Sequence, residues 1–224
     1  MFVGHLGVAL AAKRTRPDMS LGWYIAATTA LDLLWPIFLL LGIEHVAVAP
    51  GAMRFNPLVF VSYPWSHSLL MAVVWGVAFA GLARWRGASR DTAALLGAVV
   101  VSHWFLDLVV HAPDLPLWPG ATRKFGFGLW NSVTGTLVVE GAIWVVGIAL
   151  YLAPRRRIDL AGALIFWSLV IVTTAMWIGG PWSPPPSGQH ALALFALVGW
   201  IMIPWAAWAD RHYEMRGDGG EGGE

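Results

Sequence analysis

TAALLGAVVVSHWFLDLVV, residues 92–110, followed by His111, decides the fold. A bilayer-spanning helix needs about 20 mostly apolar residues, and this run meets that length while carrying His103, Asp107 and, at its end, His111. Spacings of four residues stack side chains on one helical face. Ionisable groups at membrane depth are expensive, so they face a partner or a cavity. His and Asp presented together in this way suit a divalent metal with nitrogen and oxygen ligands.

The rest of the chain agrees with a membrane setting. Of 224 residues 58% are hydrophobic and 12% charged, with 15 Trp, too few charges to cover the surface of a water-soluble domain of this size. A net charge of +1 with no basic stripe argues against a nucleic-acid partner. Without Cys, thiolate ligands, disulfides and Cys nucleophiles are excluded, and a metal must be held by His, Asp, Glu, Asn or backbone. The N-terminus does not read as a cleaved signal peptide, because its basic cluster follows the apolar stretch.

Six apolar segments approach spanning length: 21–43, 66–83, 92–110, 133–153, 160–178 and 191–209. The fold expected is therefore all-α, a polytopic membrane helix bundle of about six transmembrane helices, with residues 1–12 as a short N-terminal half-helix. The prolines of residues 179–189 make a stiff loop. Placing the start of segment 21–43 in the cytoplasm puts Lys13, Arg14, Arg16, Arg84, Arg86, Arg90, Arg155, Arg156, Arg157, Arg211 and Arg216 on one side. Only Arg54, Arg123 and Lys124 stand opposite. The positive-inside rule then sets both termini in the cytoplasm, in a bacterial inner membrane.

Depth follows from about 1.5 Å of rise per helical residue. Counted from the basic residues, Asp32, His67, His103, Asp107 and Glu140 lie roughly 20–26 Å from the cytoplasmic face. Five polar groups from four segments thus share one layer in the outer half of the membrane. His5, eight residues before Lys13, comes out shallower, at about 12 Å. The last two spans carry no ionisable residue. Residues 1–153 read as a four-helix metal-site unit, 154–212 as two accessory helices, and 213–224 as a disordered tail.

Each group also has a structural reading when taken singly. Asp32 or Glu140 serves as interhelical glue, and His67 as an interfacial cap with Ser66 or Ser68. His45, His190 and His212 read as solvated, while His111 falls between the two sets. His103 with Asp107 in one apolar helix is the hardest to explain structurally, since the pair costs several kcal/mol on insertion.

His5 in GHLG, Asp32 in ALDLLWP, His67 in YPWSHSLL, and His103 with Asp107 in SHWFLDLVVH resemble the membrane-bound metal-dependent hydrolase family related to YdjM, over about residues 1–150. The chain departs from the family pattern where a Pro-Asp-x-Asp-like segment is reduced to Leu31-Asp32-Leu33-Leu34, and where Thr-His-Ser becomes Ser66-His67-Ser68. The resemblance implies a metal site and, less directly, hydrolysis.

The expected site is a zinc-favouring centre, with manganese as the alternative, made by His5, Asp32, His67, His103 and Asp107. Glu140 is the candidate general base or orienting group. Arg123 and Lys124, with Asn131, are the candidate substrate-binding residues, suited to a phosphate. The function expected is hydrolysis near the outer membrane surface, on a phosphoester or lipid. A metal or proton transporter and a non-enzymatic structural or partner-binding membrane protein are the rivals.

Overall fold

The computed structural model describes residues 1–216. Helix α1 (Val3–Thr15) leads into a bent pair, α2 (Leu21–Thr28) and α3 (Ala30–Leu40), whose axes meet at 55°. A hairpin of β1 (His45–Val48) and β2 (Leu58–Ser62) follows, then the single turn α4 (Pro64–His67) and α5 (Leu69–Trp85). Helices α6 (Arg90–Val110) and α7 (Val133–Leu152) flank a loop holding the two-residue strands β3 (Leu115–Pro116) and β4 (Lys124–Phe125). Strand β5 (Arg155–Arg157) and α8 (Leu160–Gly179) come next. A last helical run joins α9 (Gln189–Ala196), a tighter 3-10 stretch (Leu197–Ile201) and α10 (Met202–Asp210), and strand β6 (Tyr213–Met215) closes the described chain.

The protein is thus mostly helical. Four stretches, Arg90–Val110, Val133–Leu152, Leu160–Trp182 and Gln189–Asp210, are long and apolar enough to cross a membrane, and the bent pair reaches that length only when taken together, as a broken span or a re-entrant loop. Helix α5 is apolar but only 17 residues long. Two segments expected to be continuous are broken, and both breaks serve the polar layer. At Thr29 (φ −101°, ψ 8°) the helix direction changes, which frees the Thr28 carbonyl and puts Asp32 in the first turn of α3. Pro36, having no N–H, leaves the Asp32 carbonyl without its ordinary helical donor. At Ser68 the backbone is extended (ψ 151°), and its hydroxyl caps α5 by accepting the Met71 N–H at 3.3 Å. Broken helices at membrane depth are tolerated where they line a cavity or a site.

The strands were not foreseen in an all-α fold. Residues 45–48 and 58–62 are rich in Val and pair antiparallel, with Val46 opposite Phe60. Arg155–Arg157 pairs with Tyr213–Met215, so the first three residues of the expected disordered tail are an ordered strand; positions 217–224 lie outside the described residues.

Helix α1, 13 residues long, packs along α7, where two glycines permit backbone contact. A Cβ on Gly147 would stand 2.3 Å from the Gly7 carbonyl oxygen, and one on Gly7 would stand 2.5 Å from that of Ile143. Gly147→Leu is therefore expected to force α1 away, costing about 1–3 kcal/mol, and to weaken metal binding by displacing His5. A thermal melt and a zinc titration of the same protein check this, and an unchanged pair of values would contradict the close approach.

Lys13, Arg16 and Arg155 come together at one end of the bundle. Lys13 is buried there, donating to the Pro17 carbonyl at 2.9 Å and pairing with Asp210 at 2.9 Å. Arg155 Nη2 donates to the Lys13 carbonyl at 3.3 Å, and Arg16 pairs with Asp91 at 2.8 Å. His5, which the depth count placed shallower than the other groups, nevertheless stands 3.1 Å from Asp107.

Candidate metal centre

Six side chains converge between α1, α3, α4 and α6. Asp107, 2% exposed, is the hub. Its Oδ1 lies 3.1 Å from His5 Nε2 and also accepts from the Met1 amino group. Its Oδ2 lies 3.1 Å from His103 Nε2, 3.7 Å from His111 Nε2 and 3.8 Å from His67 Nε2. Asp32 Oδ1 completes the set, 3.4 Å from His67 Nε2 and 3.7 Å from His103 Nε2. The rings of His5 and His103 stack at 3.8 Å. All five expected metal ligands are brought together, and His111 joins them.

Three of the imidazoles are oriented by a partner on the far ring nitrogen. The Thr28 carbonyl, freed by the break after α2, accepts from His103 Nδ1 at 2.7 Å, so the proton is on Nδ1 and a lone pair on Nε2. The Ser66 hydroxyl donates its single proton to Glu44 Oε2 at 2.6 Å and therefore accepts from His67 Nδ1, also at 2.6 Å. Glu44 is fully buried, and its Oε1 accepts the N–H groups of Trp65 and Ser66, both at 2.8 Å. His111 Nδ1 donates to Asp114 at 3.0 Å, and Tyr63 donates to the same carboxylate. Burial, then the Asp114 charge, pushes the Tyr63 hydroxyl well above its ordinary pKa, which keeps it a donor. Fixing the tautomer from outside is how metal-ligating histidines are held.

These tautomers aim three imidazole lone pairs at two carboxylates, an arrangement that is repulsive unless a cation sits among them. His103 Nε2 has no hydrogen-bond partner among the described residues. Protonating all three rings instead would crowd three imidazolium charges into a buried cluster. Two donors about 2.1 Å from a tetrahedral ion stand about 3.4 Å apart, and the six nitrogen to oxygen separations above run from 3.1 to 3.8 Å. The donor atoms of His5, His103 and Asp107, and likewise those of Asp32, His67 and His103, lie within 4.8 Å of one another. The buried His and Asp groups fit a metal ion, and nitrogen with carboxylate donors suits zinc or manganese.

Asp32 is the exception to burial in this cluster. Its side chain is 42% exposed, against 3% for His67 and 2% for Asp107, because it faces a cavity of about 400 Å³. Asp107, His67, His111 and Glu140 also border this cavity, and its far wall is built by α8, α9 and the Leu197–Ile201 stretch. The two helices read from sequence as accessory therefore close the space in front of the site.

Glu140 holds α1 in place: its Oε2 accepts the N–H groups of Phe2 at 2.8 Å and Gly4 at 3.3 Å, while the buried Oε1 has no partner among the described residues. The three expected substrate-binding residues are not brought to the cavity. Arg123 is exposed and lies over the Phe125 ring at 5.0 Å; Lys124, in β4, and Asn131 are also exposed. The 111–130 loop reaches the cavity only through its ends, His111 and Trp130, and the hairpin residues Phe55, Asn56, Leu58 and Phe60 take the place expected for it. Glu44, Ser66 and Asp114 were missed as site residues. Only the adjacency of Ser66 to His67 carried a signal in the sequence.

Fold and site together define a mostly helical protein with apolar helices of membrane-spanning length and a buried His/Asp cluster suited to a metal ion. Comparison with family models, with curated proteins and with solved structures gives no match.

Proposed function

We propose that the chain is a membrane-embedded metal-dependent hydrolase acting on a lipid or other apolar substrate near the outer membrane surface. The carrying observation is the cavity against Asp32. A structural metal site is closed by protein on all sides, whereas a catalytic one keeps an open position, and here the open side faces a space of small-molecule size. The residues quoted above as resembling the YdjM-related hydrolase family point the same way.

His5, His67, His103, Asp32 and Asp107 would hold the ion, with His111 as a sixth donor. Bound there, zinc supplies Lewis acidity and a water of lowered pKa. Ser66 with Glu44, the Thr28 carbonyl, and Asp114 with Tyr63 keep the three imidazoles turned inward. Glu140 Oε1 is the candidate proton acceptor, and the apolar wall of α8 and α9 excludes bulk water. Chelator treatment is expected to abolish hydrolysis and zinc to restore it, while Asp32→Asn folds normally but loses at least about a hundredfold in turnover. An Asp32→Asn protein with unimpaired zinc-dependent turnover would overturn the assignment of the open face.

The broken span, the short α5 and the four long helices make six crossings on this reading, with both termini cytoplasmic in a bacterial inner membrane. The convergence of Lys13, Arg16 and Arg155 at one end supports that orientation. A cysteine at exposed Thr122 is expected to react with an impermeant maleimide in intact cells, and one at exposed Arg86 only after lysis. The reverse pattern would invert the topology.

A further inference from the structure

The charge of the cavity restricts what can enter it. Its wall is apolar, with Trp35, Phe60, Met176, Phe195, Ile201 and Trp205 prominent. Among the described residues no Lys or Arg lines it; its ionisable side chains are Asp32, His67, Asp107, His111 and Glu140. The Met1 amino group, also at the wall, is engaged by Asp107. Asp32, Asp107 and Glu140 together balance a divalent ion and the Met1 amino group, so no positive charge is left over for a second anion. A phosphoester would bring a full charge into an apolar space whose cations are already balanced by carboxylates, at a cost of several kcal/mol. Phosphoryl-transfer sites ordinarily meet that charge with Lys, Arg or further metal ions. A carboxylic ester or amide is neutral on entry and develops charge only at the reacting carbonyl.

Resting on the hydrolase reading, we infer that the substrate is an acyl lipid, an ester or amide of one long apolar chain, with its carbonyl at Asp32 and its chain along α8 and α9. The cavity volume of about 400 Å³ is toward the lower end of the 300–1,000 Å³ typical of small-molecule sites, room for one chain. In the reaction a water oxygen adds to the carbonyl carbon and the bond to the leaving oxygen or nitrogen breaks. The leaving alcohol or amine takes one proton from that water, and the acid product ionises by releasing the other.

The test uses the full chain in lipid nanodiscs loaded with zinc, given p-nitrophenyl butyrate, p-nitrophenyl laurate and bis(p-nitrophenyl) phosphate, with Asp32→Asn as the blank. Gly199→Leu probes the chain path: Gly199 lines the cavity, and a Cβ there meets only side-chain atoms, at 3.8 and 3.9 Å, so the backbone accepts the change. The expected result is laurate turnover above that of butyrate, no phosphodiester cleavage, and a roughly tenfold loss for laurate alone in Gly199→Leu. Zinc-dependent cleavage of the phosphodiester with the esters untouched overturns the acyl inference and leaves the hydrolase reading standing. Ester turnover indifferent to chain length, or persisting in Asp32→Asn, also overturns it. A zinc-loaded protein that cleaves none of the three overturns both.

Discussion

Asp107→Asn is expected to leave a folded protein that zinc no longer stabilises. In the native chain a ligand that binds only the folded state adds about 2.7 kcal/mol at a hundred times its Kd, and the thermal midpoint should rise accordingly on adding zinc. Asp107 faces four imidazoles through its two oxygens; the amide retains the shape but gives up the charge and one acceptor. Asp107→Ala removes the hub outright and, by leaving buried partners uncompensated, should cost about 3–5 kcal/mol of stability as well. Metal content of the purified proteins and melts with and without zinc make the measurement. A zinc-induced shift of native size in Asp107→Asn would show that Asp107 does not hold the ion.

The second large effect is expected at Glu44, outside the set of ligands. Its carboxylate takes the Trp65 and Ser66 N–H groups and the Ser66 hydroxyl, at 2.6–2.8 Å. Glu44→Ala orphans all three at the start of α4, each worth about 1–3 kcal/mol when buried and unpaired, and lets His67 turn. Ser66→Ala separates the two consequences, since it cuts the link to His67 while leaving the backbone contacts of Glu44. Both variants should bind zinc about 10–100-fold more weakly, but only Glu44→Ala should melt markedly earlier. Native zinc affinity in Ser66→Ala would show that the hydroxyl does not set the imidazole.

How far the site was legible depended on the kind of signal each residue left. His103 and Asp107 stood out because a helix fixes their relation through four residues of spacing. Asp32 and His67 stood out because a polar side chain in an apolar run is costly anywhere. Glu44 and Asp114 left no such mark. They lie in connecting segments, where an acidic residue costs nothing in water, and the burial of Glu44 against Trp65 and Ser66 and the contact of Asp114 with Tyr63 exist only once the chain has folded. Arg123 and Lys124 show the converse: closeness in sequence to the start of α7 suggested closeness to the site, whereas both are exposed and neither lines the cavity.

By itself the sequence determined the helical, apolar character of the protein and the layer in which its polar groups meet. Hydrophobic run length and the cost of an intramembrane charge are local properties, readable one segment at a time. The tertiary structure alone decided which way those groups point. The break at Thr29 freed a carbonyl for His103, the Gly7 to Gly147 contact let α1 carry His5 to Asp107, and α8 with α9 walled the cavity onto which Asp32 opens. Each of these joins segments far apart in the chain, and packing between such segments leaves no trace in the periodicity of either one.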